Sequence, residues 1–185
     1  MYIGFIGSHG TGKTTTAEEL SSMMDIPFLG STARTASAYG LEVNQEATMM
    51  SQLLVTVSRA NQVLGGFDSK DLITDRTALD SYAYTTYQAD YVWPSDSSMR
   101  WYIDQSWRLV QNAMKKYDSL FFFPILWAPK EDGLRKTDLK YQAAIDDRLR
   151  MFIRESTLNN IVVMPPGTPT ERAHFIQASV LPVMV

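Results

Sequence analysis

The sequence contains no cysteine among its 185 residues and only two histidines. Without thiols the chain has no disulfide framework, no thiol nucleophile and no cysteine-based zinc site. The lack of cysteine excludes these three kinds of site, but it does not indicate in which compartment the protein works.

Long apolar runs are also missing. No stretch reaches the roughly 18 apolar residues of a membrane-spanning helix. The first residues, Met-Tyr-Ile-Gly-Phe-Ile-Gly, have neither the basic region nor the long apolar region of a signal peptide. We therefore expect a soluble, cytoplasmic protein with no membrane partner.

The chain has no excess of positive charge, since its formal net charge is −3. Duplex nucleic-acid binders usually carry a basic surface, so this balance disfavours a duplex nucleic-acid partner. Apolar residues make up 45% and charged residues 20%, as is ordinary for a globular protein. The length predicts one domain over residues 1–185, and the sequence leaves a homodimer open.

Short apolar runs alternate with helical patterns along the chain. We predict strands over residues 2–6, 26–29, 71–74, 119–126 and 161–164. We predict helices over residues 13–24, 43–64, 78–89, 98–116, 137–155 and 169–180. This alternation predicts an α/β fold with three layers, in which a parallel sheet of about five strands carries helices on both faces.

A glycine-rich turn follows the first predicted strand and matches G-x-x-x-x-G-K-[ST] over residues 7–14. Glycines let backbone N–H groups close around a phosphate, and the N-terminus of the next helix favours anions. Lys13 can reach the β- and γ-phosphates of ATP, and the Thr14 hydroxyl can ligate Mg²⁺. The predicted ATP-binding residues are Gly7, Ser8, His9, Gly10, Thr11, Gly12, Lys13, Thr14 and Thr15.

Other classes of phosphate-loop protein have signatures that this sequence lacks. GTPases normally carry Asn-Lys-x-Asp, motor ATPases carry Asp-Glu after four apolar residues, and transporter subunits carry Leu-Ser-Gly-Gly. None of these motifs occurs in the chain. The sequence therefore disfavours these three classes.

An Asp-Arg pair, Asp75-Arg76, follows the third predicted strand. Ligands of open α/β sheets bind outside the carboxyl ends of the strands, so both side chains are expected beside the phosphate loop. Asp75 can hold Mg²⁺ or accept the proton of an acceptor hydroxyl, and Arg76 can bind phosphate oxygens in a bidentate manner. The alternative is a surface ion pair that only ends a strand.

With these motifs the sequence resembles the P-loop nucleoside and nucleoside-monophosphate kinases. Asp75-Arg76-Thr77 is similar to the Asp-Arg-x motif of thymidylate kinases. The order of elements resembles the ribosylnicotinamide-kinase-like AAA family over residues 5–20, 32–34, 75–84, 132–135 and the stretch after 164. The resemblance implies transfer of the γ-phosphoryl group of ATP, with Mg²⁺, to a small nucleotide acceptor, and Asp75-Arg76 favours a nucleoside monophosphate.

One position departs from that family. Ser31 stands three residues before Arg34, where the family often has a glutamate. An acceptor contact by a carboxylate at this place is therefore not implied.

A basic segment is predicted between the fourth and fifth strands. Residues 130–154 hold seven of the 17 lysines and arginines, and the resemblance implies a helical lid over about residues 128–156. Arg135 is the first candidate for a lid arginine that acts with Lys13, Asp75 and Arg76 in catalysis. Because acidic residues are interleaved, a solvated helix face is the alternative.

The predicted acceptor-binding residues are Arg34, Arg59, Tyr82 and Tyr84. Arg34 lies in a loop of small residues after the second strand, and the tyrosines could stack on a base or bind a sugar. Aromatic residues at helical spacing are also typical of a core. The resemblance implies that the loop with Gly167 and Thr168 covers the adenine, whereas its composition alone indicates a turn before a helix.

Two groups of alternatives remain open. Within kinases, the acceptor could be a nucleoside, ribosylnicotinamide or a modified base in DNA, and a DNA acceptor predicts salt-sensitive DNA binding. In another class, an ATP-switched binding protein would hydrolyse ATP slowly, and no small acceptor would change that rate.

Overall fold

A five-stranded parallel sheet forms the centre of the protein. The computed structural model describes residues 1–30, 36–38, 40–42, 47–65, 69–91, 97–126 and 138–181. The strands are β1 (Tyr2–Ile6), β2 (Phe28–Leu29), β3 (Leu72–Asp75), β4 (Ser119–Phe122) and β5 (Ile161–Val163). They lie in the order β2-β3-β1-β4-β5, so the carboxyl end of β1 is at the middle of the sheet edge.

Helices follow the strands along the chain and cover both faces of the sheet. They are α1 (Lys13–Met24), α2 (Met49–Leu64), α3 (Ala78–Tyr91), α4 (Ser97–Met114), α5 (Leu139–Glu155) and α6 (Pro169–Val180). Among the described residues, no helix is long and apolar enough to cross a membrane.

Two apolar clusters, one on each face of the sheet, hold the three layers together. Phe121 and Phe123 pack with side chains of α1 and α6, whereas Leu120 and Phe122 pack with side chains of α2 to α5. Neighbouring side chains of β4 thus point to opposite faces, as in any strand, and both faces are buried. The predicted three-layer α/β fold with about five parallel strands is confirmed.

Two predicted boundaries were wrong by four or more residues, for identifiable reasons, and other boundaries differ by one or two residues. The helix predicted from residue 43 begins at Met49, because the Thr48 side chain caps it by accepting a hydrogen bond from the Ser51 N–H; residues 43–46 lie outside the described part. The strand predicted to residue 126 ends at Phe122. The Phe123 N–H still donates to the Ile6 carbonyl, but Pro124 has no N–H to continue the ladder.

Candidate active site

The phosphate loop connects β1 to α1, and its glycines are required by its geometry. A Cβ atom at Gly7 would lie 2.6 Å from the Phe123 carbonyl oxygen. Gly12 caps α1 in the left-handed conformation, with φ at 86°, which other residues rarely adopt. The loop therefore brings the N-terminus of α1, a natural anion site, to the centre of the sheet edge.

Lys13 folds back over this loop and is buried. Its amino group donates to the Ser8 carbonyl at 2.5 Å and to the Thr11 hydroxyl at 2.9 Å. The structure thus holds the ammonium group at the loop that the sequence predicts to bind phosphates.

Thr14 and Asp75 meet although they lie 61 residues apart. The Thr14 hydroxyl donates to Asp75 Oδ2 at 2.5 Å, because β3 pairs with β1 and sets Asp75 opposite Phe5. Asp75 is 2% exposed, and its Oδ1 is buried without a hydrogen-bond partner among the described residues. Burial of an unpaired carboxylate oxygen is costly, so this atom points to a ligand.

The Thr14 hydroxyl and the Asp75 carboxylate fit Mg²⁺. This hard cation binds through one or two protein side chains and completes its coordination shell with water and substrate phosphates. In the described part of the chain, no group of three histidine, aspartate or glutamate side chains could hold a metal. A metal ion at this place would therefore depend on Thr14, Asp75 and the bound nucleotide together.

Arg76 follows directly and has an unusual backbone, with φ at 101°, which costs about 1–3 kcal/mol for a residue with a side chain. Its Nη1 lies 3.4 Å from the Gly7 carbonyl oxygen and 3.5 Å from the Tyr84 hydroxyl. Burial opposes the charge, but Tyr84, Asp80 and Asp75 raise the pKa of Arg76 above its ordinary value. The site thus contains a permanent second cation beside the loop.

Asp80 is a residue of this site that the sequence analysis missed. Its side chain is fully buried. Oδ1 accepts a hydrogen bond from the Gly7 N–H at 2.9 Å, and Oδ2 accepts from the Thr77 N–H and hydroxyl at 2.8 and 2.9 Å. The spacing Thr77-x-x-Asp80 is typical of a helix start, but it does not indicate the bond to Gly7.

Two further unpredicted residues hold the loop from distant helices. Gln142 of α5 donates to the His9 carbonyl at 2.7 Å, and Arg172 of α6 donates to the Thr11 carbonyl at 3.0 Å. Both side chains are buried. Local patterns of α5 and α6 do not show these contacts, since they depend on how the helices pack over the sheet.

The predicted tyrosines lie in two different surroundings. Tyr84 contacts the phosphate loop, with its hydroxyl 3.2 Å from His9 Nδ1. Tyr82 packs against Trp107 and Phe152, with ring centres 4.8 and 5.0 Å away, and burial raises its pKa to about 12. The structure therefore brings Tyr84 to the site and places Tyr82 in the apolar cluster between the helices.

Arg59 lies on α2 and is 1% exposed. Its Nη2 donates to the Gly30 carbonyl at 2.6 Å, while its Nη1 is buried and has no hydrogen-bond partner in the part of the chain that the structure describes. Burial lowers the pKa of Arg59, against the opposing effect of Tyr117, Asp75 and Asp80.

The interface between α2 and α3 around Arg59 is unusually polar. The Thr56 and Thr85 hydroxyls lie 3.4 Å apart across it. On the described residues of the two helices, nine polar side chains are buried: Ser51, Gln52, Thr56, Arg59, Asp80, Ser81, Thr85, Thr86 and Gln88. Helices in contact usually bury apolar stripes, so this number of buried polar side chains is unusual. We call the contact of α2 and α3 around Thr56, Arg59 and Thr85 the polar interface.

The first part of the predicted lid, residues 128–137, and one predicted acceptor residue lie outside the described residues, whereas the rest of the predicted lid forms α5 and the turn after it. Arg34 belongs to residues 31–35, and Arg135 belongs to residues 127–137. In the described part of the basic segment, Arg148 pairs with Asp90 at 2.7 Å and Arg150 with Asp146 at 2.7 Å. Arg135 and Arg34 thus stay predictions.

Gly167 and Thr168 precede α6. The Thr168 side chain accepts from the Glu171 N–H, and Glu171 accepts from the Thr168 N–H in return. This capping box satisfies the helix start locally. The predicted contact of this loop with adenine stays a prediction.

A family model described as an AAA domain matches residues 2–172. Among solved structures, a deoxyadenosine kinase from M. mycoides is 16% identical with a TM-score of 0.72, over 97% of this chain and 98% of that one. The NadR protein in complex with NR is 18% identical with a TM-score of 0.72, over 96% of this chain and 50% of that one.

A shikimate kinase from Acinetobacter baumannii is 14% identical with a TM-score of 0.55, over 97% of this chain and 92% of that one. No curated protein matches the sequence. At these identities the similarities show the fold, and they confirm the P-loop kinase fold that the sequence resembles.

Proposed function

We propose that this chain, which belongs to the AAA domain family, is a kinase that transfers the γ-phosphoryl group of ATP to a small nucleotide, a (deoxy)nucleoside monophosphate. The observation that carries the proposal is the meeting of Lys13, the Thr14–Asp75 pair and Arg76 at one edge of the sheet. Phosphoryl transfer requires mainly positioning and stabilisation of charge, and these residues supply both.

The ATP side of the site is assigned to the phosphate loop. Its backbone N–H groups and Lys13 would hold the β- and γ-phosphates. Thr14 and Asp75 would hold Mg²⁺, which when bound neutralises charge on the phosphates. Arg76, with Arg135 of the predicted lid, would stabilise the transferred group, and Gly167 and Thr168 would lie near the adenine.

The acceptor side is assigned to the polar interface of α2 and α3, together with Arg34 and Tyr84. Arg59 Nη1 lacks a partner within this interface, and a nucleotide offers acceptor atoms on base, sugar and phosphate that would satisfy it. The structure of the similar deoxyadenosine kinase contains dCMP and dCDP as products, which supports a small acceptor, either a nucleoside or its monophosphate. Tyr82 would support the acceptor site by packing in the apolar cluster and would not contact the acceptor.

The test is release of ADP from ATP and Mg²⁺ in the presence of single candidate acceptors. The panel contains nucleoside monophosphates, nucleosides and ribosylnicotinamide, and Lys13→Ala is the inactive control. We expect one monophosphate to accelerate ADP release and Lys13→Ala to abolish the acceleration, because Lys13 lies at the phosphate loop. If a nucleoside or ribosylnicotinamide alone accelerates release, the monophosphate assignment is wrong but the kinase assignment holds.

If no small acceptor raises ADP release above background, the kinase proposal for small acceptors fails. Oligonucleotides with modified bases then test a polymeric acceptor. Slow hydrolysis that no acceptor changes would instead support an ATP-switched binding protein.

A further inference from the structure

Asp80 makes more contacts at the site than the start of a helix requires. Its Oδ2 serves the helix start through the Thr77 N–H and hydroxyl. Its Oδ1 makes contacts outside the helix start. It accepts a hydrogen bond from the Gly7 N–H at 2.9 Å and lies 3.8 Å from Arg76 Nη1. One carboxylate thus joins the phosphate loop to the turn after β3.

The surroundings of Asp80 make this link rigid. The side chain is 0% exposed, so water does not compete for its oxygens. Burial of a carboxylate is costly unless it is hydrogen-bonded and paired, and Asp80 has three hydrogen bonds and one cation. Loss of its charge would leave the Gly7 N–H with a weaker partner and Arg76 without a buried anion.

Arg76 needs such support because its own position is strained and its hydrogen bonds are long. Its backbone has a positive φ, and its Nη1 lies 3.4 Å from the Gly7 carbonyl and 3.5 Å from the Tyr84 hydroxyl. Long hydrogen bonds fix direction weakly. The carboxylate of Asp80, with Oδ1 3.8 Å from Arg76 Nη1, adds a charged partner that holds the guanidinium against the loop.

We propose that Asp80 is a positioning residue for phosphoryl transfer, which holds the Arg76 guanidinium against the phosphate loop so that this cation meets the transferred group. The inference rests on the proposed function. It assigns no contact between Asp80 and substrate, and its effect on the reaction goes through Arg76.

The experiment is a double-mutant cycle of Asp80→Asn and Arg76→Met, measured as kcat and as KM for ATP with the acceptor found in the panel. The asparagine has the same shape but presents an uncharged amide to Gly7 or Arg76. Because a misplacement of about 1 Å can cost about 100-fold in rate, we expect Asp80→Asn to lower kcat by about 10- to 100-fold. We expect KM for ATP to change by less than about threefold, since the substitution removes stabilisation of the transition state.

In the Arg76→Met background, Asp80→Asn should change kcat by less than about threefold, because residues that act as a unit are not additive. Two results would overturn the inference: an unchanged kcat in Asp80→Asn, or an equal loss in both backgrounds. Asn160→Ala is the control, since it removes hydrogen bonds to the Tyr117 and Asp118 carbonyls at the amino edge of the sheet, at a cost of about 0.5–1.5 kcal/mol of stability per bond, without a change at the site. Its kcat should equal that of the wild type.

A second variant and a second measurement cover the cases in which Asp80→Asn does not fold or no acceptor is found. If Asp80→Asn does not fold, Thr77→Val removes one donor to Asp80 and keeps the Thr77 N–H, and a loss of about threefold or more in kcat alone is expected. If the wild type phosphorylates nothing in the panel, the proposed function fails, and the Arg76 Nε–H resonance of the labelled protein tests the inference by itself. Asp80→Asn should shift that resonance, and an unchanged resonance would refute the positioning role.

Discussion

Single buried polar groups at the site have partners far away in the chain. Thr14 pairs with Asp75, Gly7 with Asp80, and Thr11 with Arg172. Each bond satisfies a group that would be costly to bury alone. Buried atoms that have no partner among the described residues include Ser8 Oγ, Asp75 Oδ1 and Arg59 Nη1. At the site, such atoms point to groups that the substrates supply.

Asp75→Asn tests the proposed metal ligand. The substitution preserves the shape of the side chain but removes the negative charge that Mg²⁺ prefers. We expect the Mg²⁺ concentration for half-maximal ADP formation to rise by about tenfold or more, measured by Mg²⁺ titration at saturating ATP. Asp71→Asn is the matched control, since Asp71 pairs with the N-terminal ammonium. An equal Mg²⁺ requirement in Asp75→Asn and the wild type would exclude Asp75 as a ligand.

Close packing between neighbouring elements limits the size of the side chain that β1 can hold at Gly4. A Cβ atom at Gly4 in β1 would lie 2.7 Å from Tyr117 Cε1 and 2.8 Å from Leu120 Cδ2. Tyr117 also accepts a hydrogen bond from the Thr74 hydroxyl of β3 at 3.0 Å. This ring therefore connects the end of α4 to two neighbouring strands.

Gly4→Ala is expected to destabilise the protein by about 1–3 kcal/mol, because overpacking forces ring and strand apart. Urea unfolding at neutral pH measures the change. Gly30→Ala is the control, since its nearest neighbour would be Phe28 Cζ at 4.0 Å, and its effect should stay within about 0.5 kcal/mol. Equal stability of the two variants would show that the contact at Gly4 relaxes without cost.

Stability should fall at alkaline pH through buried tyrosines. Burial raises the pKa of Tyr117 to about 12, although Arg59 and the Thr74 hydrogen bond act against it. Between pH 10 and 12 the unfolded chain loses a proton that the folded chain keeps, so the free energy of unfolding decreases as pH rises. Tyr117→Phe should flatten this decrease in urea titrations across that window. A slope equal to that of the wild type would contradict the assignment.

The sequence predicts the first and last residues correctly for elements with strong local signals. Helices α1 and α6 begin and end where predicted, because a glycine turn and a Thr-Pro start mark them. The start of α2 was wrong because its apolar pattern extends beyond the Thr48 cap. Asp80, Gln142 and Arg172 were missed because each acts through a long-range contact. Such contacts depend on the packing of layers and leave no local pattern.

At the scale of the whole molecule, the carboxyl edge of the sheet gathers groups from both layers of helices. The α1–α6 layer supplies Lys13, Thr14 and Arg172, and the other layer supplies Arg59, Asp80 and Gln142. The central place of β1 between β3 and β4 makes this possible. Ligands of open parallel sheets bind at such an edge, so the topology and the side chains both indicate a ligand site there.

Transfer of label from γ-³²P-ATP to an acceptor tests whether the chain is a nucleoside-monophosphate kinase. The products formed with Mg²⁺ and each nucleoside monophosphate are separated by chromatography, for the wild type and for Lys13→Ala. If the chain is this kinase, label moves from ATP to one nucleoside diphosphate in the wild type and stays in ATP in Lys13→Ala. Label that appears only in inorganic phosphate, whatever acceptor is present, would contradict it.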